Sequence, residues 1–341
     1  MPAVTRKPPY AVIDCDGHVE EGFVDWQERL PKEYHLWAPR YFSDKEGVRH
    51  FSIEGRFRSD FGKFRGQMHS NQGYQEANRP THRWSNREGM WDPHKRIPDM
   101  NFEGIDVAML FATPIRGIFP LIEDPGLAEA VAAAYNDWLA EYCAPYPGRL
   151  KGIAMLPYQD PSAAAKELRR SVENLGFVGF HMPPQLHGKA LHNEFFYPIY
   201  EEAQALDVPV CVHLNGINNL AVQRVQERAL REAFLPLDVI VAAGCLVAGG
   251  PMDRFSRLRV MFTEAGCGWA PYVLDRLQAY TDFYKKDAPW RKFRPEDIMK
   301  SDRCHIAIDP SETAVPFVAS VLGQDCLVFA SDYAHIDSLC P

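Results

Sequence analysis

Apolar residues in this chain gather in short continuous runs rather than alternating with polar ones. Eight runs stand out, at 11–15, 107–111, 152–156, 177–180, 208–212, 259–263, 305–308 and 327–330. Runs of four or five apolar residues read as strands buried on both faces. Longer segments with apolar residues at helical spacing separate most of them: 127–142, 163–175, 193–206, 237–247, 268–280 and 314–322. Pro161-Ser162 is a start signal for the second. Strands alternating with helices predict a parallel sheet with crossover helices. Eight strands in a chain of 341 residues predict one domain over 1–341, a distorted (β/α)8 barrel. A doubly wound open sheet is the other arrangement. No G-x-G-x-x-G follows the first run, which counts against a dinucleotide fold.

Residues 20–100 interrupt the alternation with a segment rich in Arg, Gly and aromatic residues. It is too long for a plain loop and is expected to be an insertion capping the mouth of the barrel, or else an oligomer contact. His69, His82 and His94 are candidates for lining that mouth. The eighth strand is followed too closely by the end of the sequence for a clear eighth helix. Either the chain was shortened or the strand's outer face is covered by something else, such as a partner subunit.

Composition narrows the classes. The chain is 46% hydrophobic and 24% charged, with a net charge of −8. That is ordinary globular composition and does not favour nucleic-acid binding. No stretch approaches the roughly 20 apolar residues of a membrane span. The basic N-terminus lacks an apolar segment after it, so no signal peptide is expected. The eight cysteines form no C-x-x-C pair, and several lie within apolar runs, as in Val210-Cys211-Val212. They are expected to be buried free thiols of a cytoplasmic protein.

The chemistry lies where the runs end. Barrel enzymes place their reactive groups at the C-terminal ends of the strands. The first run leads into Asp16-Gly17-His18, where an acid and an imidazole two residues apart share one side of a strand. The fourth leads to His181, the fifth to His213 and the sixth to Glu264. The eighth leads to Asp332, with His335 and Asp337 close behind. Any one of these has a bland reading, as a satisfied polar group or a cap; five strand ends together point to a metal. Imidazole with carboxylate suits Zn, Mn or Fe. Such a metal acts as a Lewis acid or lowers the pKa of bound water. Arg96 and Arg276 are candidates for clamping a substrate carboxylate, or make structural ion pairs. Trp269, with Trp84 and Trp91, is a candidate wall of an apolar pocket, or plain core. Cys267 has no base placed for it and is read as structural.

Several segments carry a resemblance: Ile13-Asp14-Cys15-Asp16-Gly17-His18, Arg96 to Asp106, Pro209-Val210-Cys211-Val212-His213, Asp253 to Arg259, Glu264-Ala265-Gly266-Cys267-Gly268-Trp269, and Ala330-Ser331-Asp332-Tyr333-Ala334-His335. Over nearly its whole length the chain resembles the amidohydrolase-related family, the amidohydrolase 2 branch that includes the aminocarboxymuconate-semialdehyde, γ-resorcylate and 5-carboxyvanillate decarboxylases. The resemblance implies a divalent metal held by Asp16, His18, His213 and Asp332, a small carboxylated substrate, aromatic or not, and a homodimer. It departs from the family's pattern at Glu264, where those decarboxylases have His, and at His181, where relatives usually have an apolar residue. With His335, these two could complete a second metal position. Three chemistries therefore stay open: non-oxidative decarboxylation; hydrolysis, with Asp332 or Glu264 taking the proton; or O2-dependent oxygenation with His181 and Glu264 on a second metal. A non-catalytic subunit of a hetero-oligomer is the reading outside enzymology.

Overall fold

A computed structural model describes residues 9–21, 24–43, 45, 49–58, 88–186, 188–214, 227, 230 and 233–335. Eight parallel strands follow one another in chain order around a nearly closed barrel: β1 Ile13–His18, β2 Val107–Phe111, β3 Leu150–Ala154, β4 Gly179–Met182, β5 Val210–His213, β6 Val260–Thr263, β7 Cys304–Ile308 and β8 Leu327–Phe329. The expected barrel is therefore present and the open sheet is not. The ring closes just beyond β8, where Gly17 bridges Tyr333 in parallel and the His18 N–H donates to the Tyr333 carbonyl at 2.7 Å.

Strand boundaries differ from the apolar runs in an informative way. β1 begins two residues later than its run and continues through Asp16, Gly17 and His18, because Gly17 and His18 still pair with Leu110 and Phe111. β4 likewise extends over His181. Partner strands continue the ladder past the point where the sequence turns polar. Asp16, His18 and His181 are thus held by strand backbone, whereas Glu264, Asp332 and His335 follow the ends of their strands.

Three helices open on the same dipeptide. α1 (Pro93–Glu103), α2 (Pro125–Cys143) and α3 (Pro161–Glu173) each have Asp as N-cap and Pro at the first position. The Asp92, Asp124 and Asp160 carboxylates accept backbone N–H groups of the first turn. Proline at that position gives up only an N–H that has no helical partner. Left-handed Gly104, at φ 78°, ends α1. Further round come α4 (Tyr197–Leu206), α5 (Leu237–Ala248), α6 (Ala270–Phe283) and α7 (Val315–Leu322).

Cys15, Phe111, Ile153, Cys211 and Met261 come from five different strands and pack on one another. Residues spread round the ring can meet only inside it, so the barrel interior is a filled core. Cys15 and Cys211 are buried free thiols there, as expected, and burial pushes both well up, Cys15 to about 12.

Within 20–100, the described residues include an antiparallel sheet of three strands, Arg40–Ser43, Arg49–Ile53 and Arg56–Arg58. Phe51 and Ile53 belong to the main core. The Glu54 carboxylate accepts the N–H groups of Glu123 and Asp124, at 2.9 and 2.8 Å, just ahead of α2. The insertion is thus bonded to the barrel body. His69, His82, Trp84, Asp337 and the segment beyond His335 lie outside the described residues. Among the described residues, no helix is long and apolar enough to cross a membrane.

Candidate metal centre

Side chains from β1, β5 and the segment after β8 converge at one end of the barrel. His213 Nε2 lies 3.0 Å from Asp16 Oδ1 and 3.4 Å from His18 Nε2. His18 Nε2 lies 3.5 Å from Asp16 Oδ1 and 3.2 Å from Asp332 Oδ1. His335 stacks on His18 with ring centroids 4.0 Å apart and places Nδ1 2.7 Å from Asp332 Oδ1. Two overlapping sets of metal-compatible donors result, Asp16–His18–His213 and His18–Asp332–His335.

The electrostatics suit a cation. Asp16, His18 and His213 are fully buried. Burial, aided by nearby cationic groups, holds His18, His213 and His181 well below the usual imidazole range, so each offers a lone pair rather than a charge. Asp16 Oδ2 is buried with no hydrogen-bond partner. A buried carboxylate oxygen left so is costly in protein alone, and a metal ion would satisfy it. By that test the residues present fit a divalent metal.

Backbone strain marks two acids of the cluster. Glu264 and Asp332 adopt φ of 52° and 50°, in the left-handed region. Strain of about 1–3 kcal/mol at such positions persists where the surroundings fix it, and collects at functional sites. The Glu264 turn is fixed by Glu312, whose carboxylate accepts the N–H groups of Cys267 and Gly268 at 2.7–2.9 Å. A cavity of about 550 Å³ opens beside the cluster. Glu264 and Asp332 face it, with Leu214, Leu235 and Pro236 on one side and the loop 309–313 on another.

His181 stays apart from both donor sets. It is buried next to Tyr158, whose hydroxyl bonds its carbonyl and lies 3.3 Å from its Nδ1; its ring is 6.1 Å from that of His213. Glu264 is also outside both sets. Its Oε2 lies 3.1 Å from His213 Nδ1 and 3.2 Å from Arg116 Nη1, and its Oε1 lies 3.8 Å from His335 Nδ1. Of the three residues expected at a second metal position, only His335 falls in a donor set.

The expected substrate-binding residues are placed elsewhere. Arg96 is buried behind β1, where Nη1 donates to the His18 carbonyl at 2.8 Å and the guanidinium lies 3.6 Å from the Tyr333 ring centroid. It supports the strand instead of facing the cavity. Arg276 is on the exposed side of α6, donating to the Tyr280 hydroxyl at 2.7 Å. Trp269 turns into the core against Phe262, and its indole N–H donates to the Gly266 carbonyl. Trp91 packs against Met90 and Tyr333, and His94 bonds the Tyr146 hydroxyl.

Sequence reasoning missed Arg116. It lies in the short helix Pro114–Ile118 just after β2, is largely buried, and bonds the Leu214 carbonyl and touches His213 Nδ1. A cation five residues beyond the second apolar run was the available signal. Asp14, read from the sequence as a structural residue orienting the first loop, finds its partners only in three dimensions. Fully buried, it accepts the Ser331 N–H at 2.8 Å and the Ser331 hydroxyl at 2.7 Å. Burial raises its pKa against those bonds and the Arg96 charge.

Comparison with known proteins fits this picture. The γ-resorcylate decarboxylase of Polaromonas sp. is 40% identical over 254 residues, covering 70% of this chain and 76% of that protein. An amidohydrolase structure from Mycobacterium avium subsp. paratuberculosis superposes with a TM-score of 0.81 at 19% identity, covering 97% and 90% of the two chains. The 5-carboxyvanillate decarboxylase of Novosphingobium aromaticivorans, complexed with manganese and 4-hydroxy-3-methoxy-5-nitrobenzoic acid, superposes at 0.65 with 23% identity, covering 96% and 87%. These two likenesses show the shared fold. The amidohydrolase family profile (Amidohydro_2) matches residues 13–341, and the chain belongs to that family.

Proposed function

We infer that this protein is a metal-dependent decarboxylase acting on a small aromatic carboxylate. One observation carries the reading: Asp16, His18, His213 and Asp332, from opposite ends of the sequence, meet in a buried cluster in which Asp16 Oδ2 has no protein partner. These four residues would hold the metal. A divalent ion bound there supplies Lewis-acid charge that fixes the carboxylate and an adjacent hydroxyl of the substrate. Manganese accompanies a bound benzoic acid in the 5-carboxyvanillate decarboxylase structure, which supports the assignment of metal and substrate class. Leu214, Leu235 and Pro236 give the cavity an apolar side against which an aromatic ring would pack.

The reaction breaks the bond from ring to carboxylate and puts a proton on the ring carbon. It needs no redox partner. His335 suits the transfer best: it is the partly exposed imidazole of the cluster, and its Nδ1 is anchored on Asp332 at 2.7 Å. Its Nε2 would carry a proton from solvent to the carbon.

The test is turnover of 2,6-dihydroxybenzoate and 5-carboxyvanillate by Mn2+-loaded protein under nitrogen. CO2 release in step with loss of the acid, abolished in Asp16→Asn, is expected. Turnover that requires and consumes O2, or that survives complete removal of metal, would overturn the reading.

A further inference from the structure

We propose that Glu264 is neither a metal ligand nor the proton donor but the positioning residue for His213, held in turn by Arg116. The proposal rests on the metal reading above.

The two nitrogens of His213 face different surroundings. Nε2 points toward Asp16 and His18, at 3.0 and 3.4 Å. Nδ1 faces two acceptors, the Leu214 carbonyl at 2.8 Å and Glu264 Oε2 at 3.1 Å, and is also touched by Arg116 Nη1. The two acceptors favour a proton on Nδ1 and leave the Nε2 lone pair for a metal beside Asp16 and His18; without the ion, Asp16 Oδ1 competes for that proton at Nε2. Histidine ligands commonly donate their second N–H to a carboxylate, which fixes the ring and raises its basicity. Glu264 supplies the charge for that role; the carbonyl alone supplies only a dipole.

Arg116 explains why the carboxylate stays there. Its Nη1 reaches Glu264 Oε2 at 3.2 Å and also bonds the Leu214 carbonyl. One guanidinium thus holds both acceptors that face Nδ1. The donors Arg116 and His213 converge on a single oxygen, Oε2. Glu312 pins the turn behind, through the N–H groups of Cys267 and Gly268. A side chain held so, on a left-handed backbone, has little freedom to swing onto a metal or deliver a proton.

Because both donors meet one oxygen, the amide oxygen of glutamine can replace it. Mn2+ titration of the full-length, metal-stripped protein, by calorimetry with EPR counting of bound ion, separates the roles. Glu264→Gln is expected to bind Mn2+ within about threefold of wild type, and Glu264→Ala about 10–100-fold more weakly at unchanged stoichiometry. Loss of a bound equivalent in both variants would make Glu264 a ligand and overturn the proposal. So would an affinity in Glu264→Ala equal to wild type. Wild-type protein that takes up no Mn2+ would overturn the metal reading itself. A second measurement uses the milder variant: with Zn2+ bound, the His213 Nδ1–H proton resonance should lie further downfield in wild type, where it meets a carboxylate, than in Glu264→Gln. An identical resonance in the two would refute the proposal even if Glu264→Ala fails to fold.

Discussion

The backbone N–H of Asp332 donates to the backbone carbonyl of Asp16 at 2.8 Å, so two proposed metal ligands are bonded to each other across the seam of the barrel. One residue further on, His18 makes the matching bond to Tyr333. Closing the ring and assembling the donor set are therefore one event.

Metal should stabilise the fold through that seam. A ligand at 100 times its Kd that binds only the native state adds about 2.7 kcal/mol. Urea melts of metal-stripped protein with and without Mn2+ at that ratio should differ by this amount, and by nothing in Asp16→Ala. Equal midpoints for wild type would mean that no ion spans the seam.

Ser331 is expected to matter for stability rather than for chemistry. Its hydroxyl donates to Asp14 Oδ2 at 2.7 Å and accepts the Tyr333 N–H at 3.1 Å. Ser331→Ala leaves a fully buried carboxyl one donor short, at a cost of about 1–3 kcal/mol. Chemical denaturation would read the loss, and a change under about 0.5 kcal/mol, the usual range for surface positions, would refute the account.

Gly17 is required by space. A Cβ there would lie 2.5 Å from Arg96 Nη2 and 3.0 Å from Asp14 Oδ2. Gly17→Ala must displace Arg96 from the support of β1, and should cost about 1–3 kcal/mol, the usual range for overpacking. Because Arg96 holds the His18 carbonyl, Mn2+ binding should weaken as well. An alanine variant with wild-type melting and affinity would show that the contact yields freely.

Glu21 gives the pH prediction. Burial, with the neighbouring Glu20 adding, pushes its carboxyl up to about 8 from an ordinary 4.5, against the N–H groups of Ile115 and Thr113 that it accepts at 2.5 and 3.1 Å. Folding therefore takes up a proton between those values. The stability this lends is complete below the unfolded value and fades as pH rises through about 8. Glu21→Gln fixes the neutral form, so its stability relative to wild type should grow from pH 5 to pH 8, by at most about 1.4 kcal/mol per pH unit. Taking the difference cancels the buried histidines, whose depressed pKa values act in the opposite sense, removing stability as pH falls. A flat difference would show Glu21 to be ionised throughout.

The sequence by itself determined the barrel and the polar residues gathered at its rim. Apolar runs buried on both faces could only be inner strands, and the polar residues after them had to emerge at one rim. That logic put Asp16, His18, His213 and Asp332 among the strand-end candidates, from which the family resemblance singled out those four as the proposed ligands. It could not tell which way a polar side chain at the rim turns. Arg96 and His18 are 78 positions apart, yet the arginine, on α1, reaches the His18 carbonyl and packs over Gly17, while the His18 ring meets His213 and Asp332. Arg276 and Trp269 show the same limit: the first is on the exposed side of α6 beside Tyr280, and the second turns against Phe262. The role of Glu264 depended on Arg116, 148 residues earlier, and no local pattern links the two. Strand formation is local enough to be legible in one dimension, whereas the orientation of a charged group is settled by partners that only the closed ring brings within reach.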